Sequence, residues 1–173
     1  MAVLTNNPVN KNILTPVDFK FEIKRMPTFN YFVQSVNFPG IGLGDSGYKT
    51  PFSKLSIAGD HTTFDEISVS FKIDEDMKNY FELYDWMTGH GKPESFTQFA
   101  NLDNNQPGDG FGLYSDATLI VLNNTMNPTI SITFYDMYPN RLSGFTFDST
   151  VNDITGLSAT ATFNYREYTY TRL

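Results

Sequence analysis

The chain has 173 residues, 40% hydrophobic and 18% charged, which suits one domain with a substantial core and excludes a disordered chain. Acidic residues number 19 against 12 basic ones, a formal net charge of −7 and the reverse of a surface built to grip nucleic acid. Cysteine is absent, which removes disulfides, thiol nucleophiles and Cys-based zinc sites and suits synthesis in a reducing cytoplasm.

Residues 1–16 are rich in Asn and Pro without periodicity and read as an extended arm. They lack the basic-then-apolar pattern of a secretory leader. Residues 18–24 alternate Phe19, Phe21 and Ile23 against Lys20 and Glu22, the mark of a half-buried strand. Residues 31–38 predict a second strand, stopped by Pro39 and Gly40. Residues 41–51 read as a glycine-rich connection, followed by a short strand over 53–57. The alternation is clearest over 66–73, with Ile67, Val69, Phe71 and Ile73 facing in and Glu66, Ser68, Ser70 and Lys72 facing out.

A helix follows, with Asp76 as the expected N-cap. Its apolar stripe is Met77, Tyr80, Phe81, Tyr84 and Met87, widened by Leu83 and Trp86. Gly89, Gly91 and Pro93 are expected to end it. Residues 92–115 read as a long irregular excursion. Strands are predicted over 117–122, 129–135, 142–147 and 157–165. The aromatic phase then slips, so a β-bulge is expected near Arg166 or Glu167. The pattern predicts a single mainly β domain of two packed antiparallel sheets, or a partly closed barrel, with one flanking helix.

Motifs for chemistry are weak. Gly42-x-Gly44-x-x-Gly47 matches the dinucleotide fingerprint, but Pro51 argues against the helix that must hold the pyrophosphate. Asp103-x-Asn105-x-x-Gly108 opens like a calcium loop and then offers Tyr114 where a bidentate Glu is needed. His61, near Asp60 and Asp65, and His90 are the only histidines, and no nucleophile motif accompanies them. No catalytic, cofactor or metal site is expected. The outward strand faces are small and hydroxylated at Ser68, Ser70, Ser131, Thr133, Ser158, Thr160 and Thr162. This suits either a solvated sheet face or a smooth polar channel wall.

The stretch from Phe38 to Trp86 resembles the tail tube proteins of contractile-tailed phages. The residues that carry the resemblance are Pro39-Gly40-Ile41, Ile57-Ala58-Gly59-Asp60, Thr63-Phe64-Asp65, the strand from Ile67 to Ile73, Asp74-Glu75-Asp76 and the helix reaching Trp86. The terminal Leu157-x-Ala159-x-Ala161-x-Phe163-x-Tyr165 is similar to the family's closing strand.

The resemblance implies a fold shared with the type VI secretion tube protein. It also implies a virion tail protein, made in the host cytoplasm, whose homo-hexameric rings stack into a tube for DNA ejection. Its implied partners are itself, sheath, baseplate and tape-measure proteins, with DNA passing unbound and no membrane insertion. An inter-ring contact then falls on Ile41, Gly42, Leu43, Gly44, Asp45, Ser46, Gly47, Tyr48 and Lys49. The expected lumen-facing residues are Glu66, Ser68, Ser70, Lys72, Thr129, Ser131 and Thr133. Residues 92–115 do not match the family. Two alternatives therefore stand beside the tube subunit: a tube-initiating, baseplate or terminator ring of the same fold, and a monomeric β-sandwich binding module.

Overall fold

A computed structural model describes residues 12–49, 51–91, 94–104, 112–150 and 156–173. Residues 1–11 of the expected arm and residues 105–108 of the calcium-like motif lie outside the described residues. In chain order the elements are β1 (Phe19–Ile23), α1 (Pro27–Tyr31), β2 (Val33–Asn37), β3 (Ile41–Lys49), β4 (Lys54–Phe64) and β5 (Ile67–Lys72). There follow α2 (Lys78–Gly91), α3 (Phe96–Asn104), β6 (Ser115–Leu122), β7 (Pro128–Leu142), β8 (Ser158–Asn164) and β9 (Glu167–Arg172).

Seven strands form an antiparallel sheet in the order β1-β6-β7-β8-β5-β2, with β9 also paired to β7. β7 divides it. Its residues from Ile130 to Tyr135 pair with β9, and the same stretch pairs with β6 on the other side. Its end, from Tyr138 to Leu142, pairs with β8 instead. Between the two lies Asp136 at φ 53°, a left-handed conformation that Asp tolerates better than most residues.

The last two strands break at the same corner, with Asn164 opposite Tyr138 and Glu167 opposite Tyr135. Arg166 fastens it. Its backbone N–H donates to the Tyr135 carbonyl at 3.0 Å, and its Nη1 lies 2.8 Å from Asp136 Oδ2. The phase slip is therefore a step from one half-sheet to the other, not a bulge within one strand.

The inward residues of both halves meet in one core. Phe21, Ile23, Ala117, Leu119 and Phe134 come from the first half; Ile67, Val69, Phe71, Ala159, Ala161 and Phe163 come from the second. Each large apolar side chain withdrawn from water here stabilises by roughly 1.5–3 kcal/mol. Phe29 of α1 fills the same core, its ring 4.6 Å from Phe71 and 6.3 Å from Phe163. The two-layer expectation is met, and the layers do not close into a barrel.

Several local expectations are corrected. Residues 27–31 are helical because Pro27 starts the turn at a position where its missing N–H costs nothing, so the second strand begins at Val33. Met77, not Asp76, precedes α2: its carbonyl accepts from Phe81 N–H at 3.0 Å. The buried stripe of α2 is Asn79, Leu83, Trp86 and Gly89, while Phe81 and Tyr84 are exposed. Asn79 can be buried because its Nδ2 donates to the Lys72 carbonyl at 2.7 Å and its Oδ1 accepts from Asp74 N–H at 3.2 Å.

Gly89 does not end the helix. A Cβ there would lie 2.6 Å from Leu102 Cδ1, so its bare face admits α3. That helix occupies part of the stretch expected to be irregular. β7 runs on through Pro139 to Leu142, where among the described residues its end pairs on one side only and so tolerates a residue without an N–H. Beyond Leu142 the predicted strand over 142–147 is absent, and Phe145 instead packs its ring 5.1 Å from Tyr80.

Candidate assembly interface

Residues 41–51 were expected to be a connection, yet Ile41–Lys49 is a strand. Among the described residues β3 and β4 pair only with each other, as an antiparallel arm whose first strand is exposed along its whole length. The glycines of the Gly42-x-Gly44-x-x-Gly47 motif lie in this extended strand, not at the start of a helix.

The register sorts the side chains of the arm. Ile41 stands opposite Phe64 and Leu43 opposite Thr62; then the pairing shifts before Asp45. Beyond the shift, Ser46 opposes Ile57 and Tyr48 opposes Leu55 on one face. Asp45 opposes Ala58, and Gly47 opposes Ser56, on the other. The outer part of the arm thus has a largely apolar face, and that face is open to solvent: Tyr48 is 64% exposed, Leu55 57% and Ile57 51%. Phe52 at the tip is 98% exposed.

The shift has a steric cause. Gly59 lies so close to Gly44 that an added Cβ would sit 2.4 Å from the Gly44 carbonyl oxygen. Only a residue without a side chain permits that approach.

At its root the arm is held by rings. Phe38 lies 5.5 Å from Tyr168, Phe64 lies 5.5 Å from Tyr168 and 5.9 Å from Tyr165, and Phe134 lies 5.1 Å from Tyr165. Among the described residues the Tyr165 hydroxyl is buried here without a hydrogen-bond partner. Burial pushes its pKa up to about 12, with smaller contributions from Tyr168 and Asp65.

The hydroxylated faces lie on different half-sheets. Ser68 pairs with Thr162, Ser70 with Thr160 and Lys72 with Ser158, and the Ser70 and Thr160 hydroxyls are 3.1 Å apart. Glu66, just before β5, accepts from Asn140 Nδ2 at 2.7 Å. Ser131 and Thr133 of β7 pair with Thr171 and Thr169 of β9, and Thr129 begins the same face.

The two histidines weighed for chemistry sit in different elements. His61 lies in β4 against Asp60 at 2.8 Å, with both side chains almost wholly in solvent. His90, in the last turn of α2, has its Nδ1 3.1 Å from the Trp86 carbonyl. Among the described residues, no cluster of His, Cys, Asp and Glu could hold a metal ion. A cavity of about 610 Å³ between α2 and α3 is lined by Arg25, Glu82, Trp86 and Gln98 among others. Arg25 stacks 5.2 Å above the Trp86 ring, and burial lowers its pKa.

No family model matches the sequence, and no curated protein matches it. Solved structures do. A chain of the anti-feeding prophage tube-terminating cap superposes with a TM-score of 0.61 at 12% identity, covering 100% of both chains. A chain of the sheath-tube complex of the extracellular contractile injection system PVC gives 0.59 at 13% identity, over 94% of each. A type six secretion system protein gives 0.50 at 9% identity, over 89% of this chain and 82% of that one. With its two antiparallel layers and flanking helices, the chain has the contractile-tail tube fold.

Proposed function

We propose that the protein is a non-enzymatic structural subunit of a contractile-tail tube, assembling with copies of itself into stacked hexameric rings. The observation that carries this reading is the β3–β4 arm. A lone monomer would leave Tyr48, Phe52, Leu55 and Ile57 in water, whereas an assembling subunit covers them. The nine residues from Ile41 to Lys49 are then contact residues between copies. Sheath and baseplate proteins are the natural neighbours of such a tube, the tail of a virion is its place, and a tape-measure protein and DNA are its contents.

The lumen wall is drawn from the hydroxylated faces. Both back onto the same core from different half-sheets, so a single channel takes one of them: Glu66, Ser68, Ser70 and Lys72, or Thr129, Ser131 and Thr133. Hydroxyls and a net acidic chain offer passing phosphates few cations to hold them. Ser68→Cys and Ser131→Cys, each treated with a bulky thiol reagent, tell the faces apart. The lumen position reacts in monomers and is shielded in intact tubes.

Negative-stain electron microscopy over a concentration series tests the main reading. Hollow tubes with a regular ring repeat support it. Closed single rings assign the chain to an initiator or terminator instead, and monomers throughout return it to a binding module.

A further inference from the structure

Near the root of the arm, an apolar groove of about 420 Å³ opens between β2 and the first half-sheet. Phe19, Val36, Leu119, Val121, Ile130 and Ile132 line it, and Asp18 stands on its rim. Resting on the reading that copies self-assemble, we propose that this groove receives the apolar outer face of the β3–β4 arm from a second copy, seating Tyr48, Leu55 and Ile57.

Two observations select that occupant. The arm offers a largely apolar face backed by a polar one, which suits a one-sided groove. Reach excludes the arm of the same chain: Phe38 borders the groove, and at roughly 3.3 Å per strand residue Tyr48 lies about 30 Å farther out. Because arm and groove are different patches, the contact is head-to-tail, and each copy that gives an arm still offers a groove.

The absence of native cysteine makes the test direct. Leu55→Cys and Val121→Cys copies are prepared separately, then mixed at concentrations where particles are seen by electron microscopy, and oxidised. Thr15→Cys, on the exposed rim, serves as a second groove position should Val121→Cys fold poorly. The proposal expects a disulfide-linked dimer in the mixture and none in either variant alone. A chain carrying both changes should give a ladder of multimers. Particles without the mixed dimer, or Leu55→Cys linking to itself, overturn the groove assignment and leave self-assembly standing. Monomers without any crosslink overturn both.

Discussion

Gly59→Ala separates the arm from the body. The new Cβ would meet the Gly44 carbonyl oxygen at 2.4 Å and its carbon at 2.8 Å, and both are backbone atoms that no rotamer change can move. The two strands must part by the better part of an ångström or lose the register shift, at a cost typical of overpacking, about 1–3 kcal/mol. An isolated two-stranded ribbon has little stability to spare, so this is enough to unravel it. The core shares no strand with the arm, so its stability should hardly change. For a chain of this size 1 kcal/mol corresponds to roughly 2–4 °C in Tm. The variant should therefore melt within about 2 °C of wild type. Hydrogen exchange at Ser46, Tyr48 and Ile57 should rise towards that of an unpaired chain, and assembly should fail. Assembly at the wild-type level, or a Tm lowered by about 5 °C or more, would refute the reasoning.

Three further substitutions probe the body. Asn79→Ala removes both bonds that tie the start of α2 to the end of β5, and should cost about 2–3 kcal/mol in urea denaturation. Asp136→Val places a β-branched residue at φ 53° and should cost about 1–2 kcal/mol more than Asp136→Gly, which keeps the conformation and loses only the part-exposed Arg166 ion pair, worth about 1 kcal/mol or less. Tyr165 holds its proton up to about pH 12 when folded, against an ordinary value of 10.0, so its contribution to stability is present below pH 10 and is lost as pH rises through 12. Tyr165→Phe should therefore lose stability less steeply than wild type over that interval, as read by denaturant midpoints.

Strands that bury one face were legible, because alternation over residues 66–73 and 157–165 reports directly on burial. What the pattern could not show was pairing. Arg166 and Glu167 signal a slip of phase, but only the two partners of β7 reveal a change of half-sheet. The arm was hidden by its glycines, which lower strand propensity even where a close approach at Gly44 and Gly59 requires them. The alternation of Ile41 with Leu43, and of Leu55 with Ile57, was the available signal. The α2 face was misread because a polar residue, Asn79, and a glycine, Gly89, take positions that hydrophobicity alone assigns to Phe81 and Tyr84. The residues expected at a contact, Ile41–Lys49, form β3 of the arm, whereas the apolar groove is assembled from β1, β2, β6 and β7, and no local window of sequence contains it.

The central claim is that the arm drives self-assembly, and sedimentation velocity tests it most directly. Wild-type protein is compared with a chain in which residues 45–58 are replaced by a short Gly-Ser turn. Wild type should form large species as concentration rises, while the shortened chain stays monomeric with an unchanged melting temperature. A wild type that remains monomeric at every concentration, or a shortened chain that assembles equally well, would contradict the account.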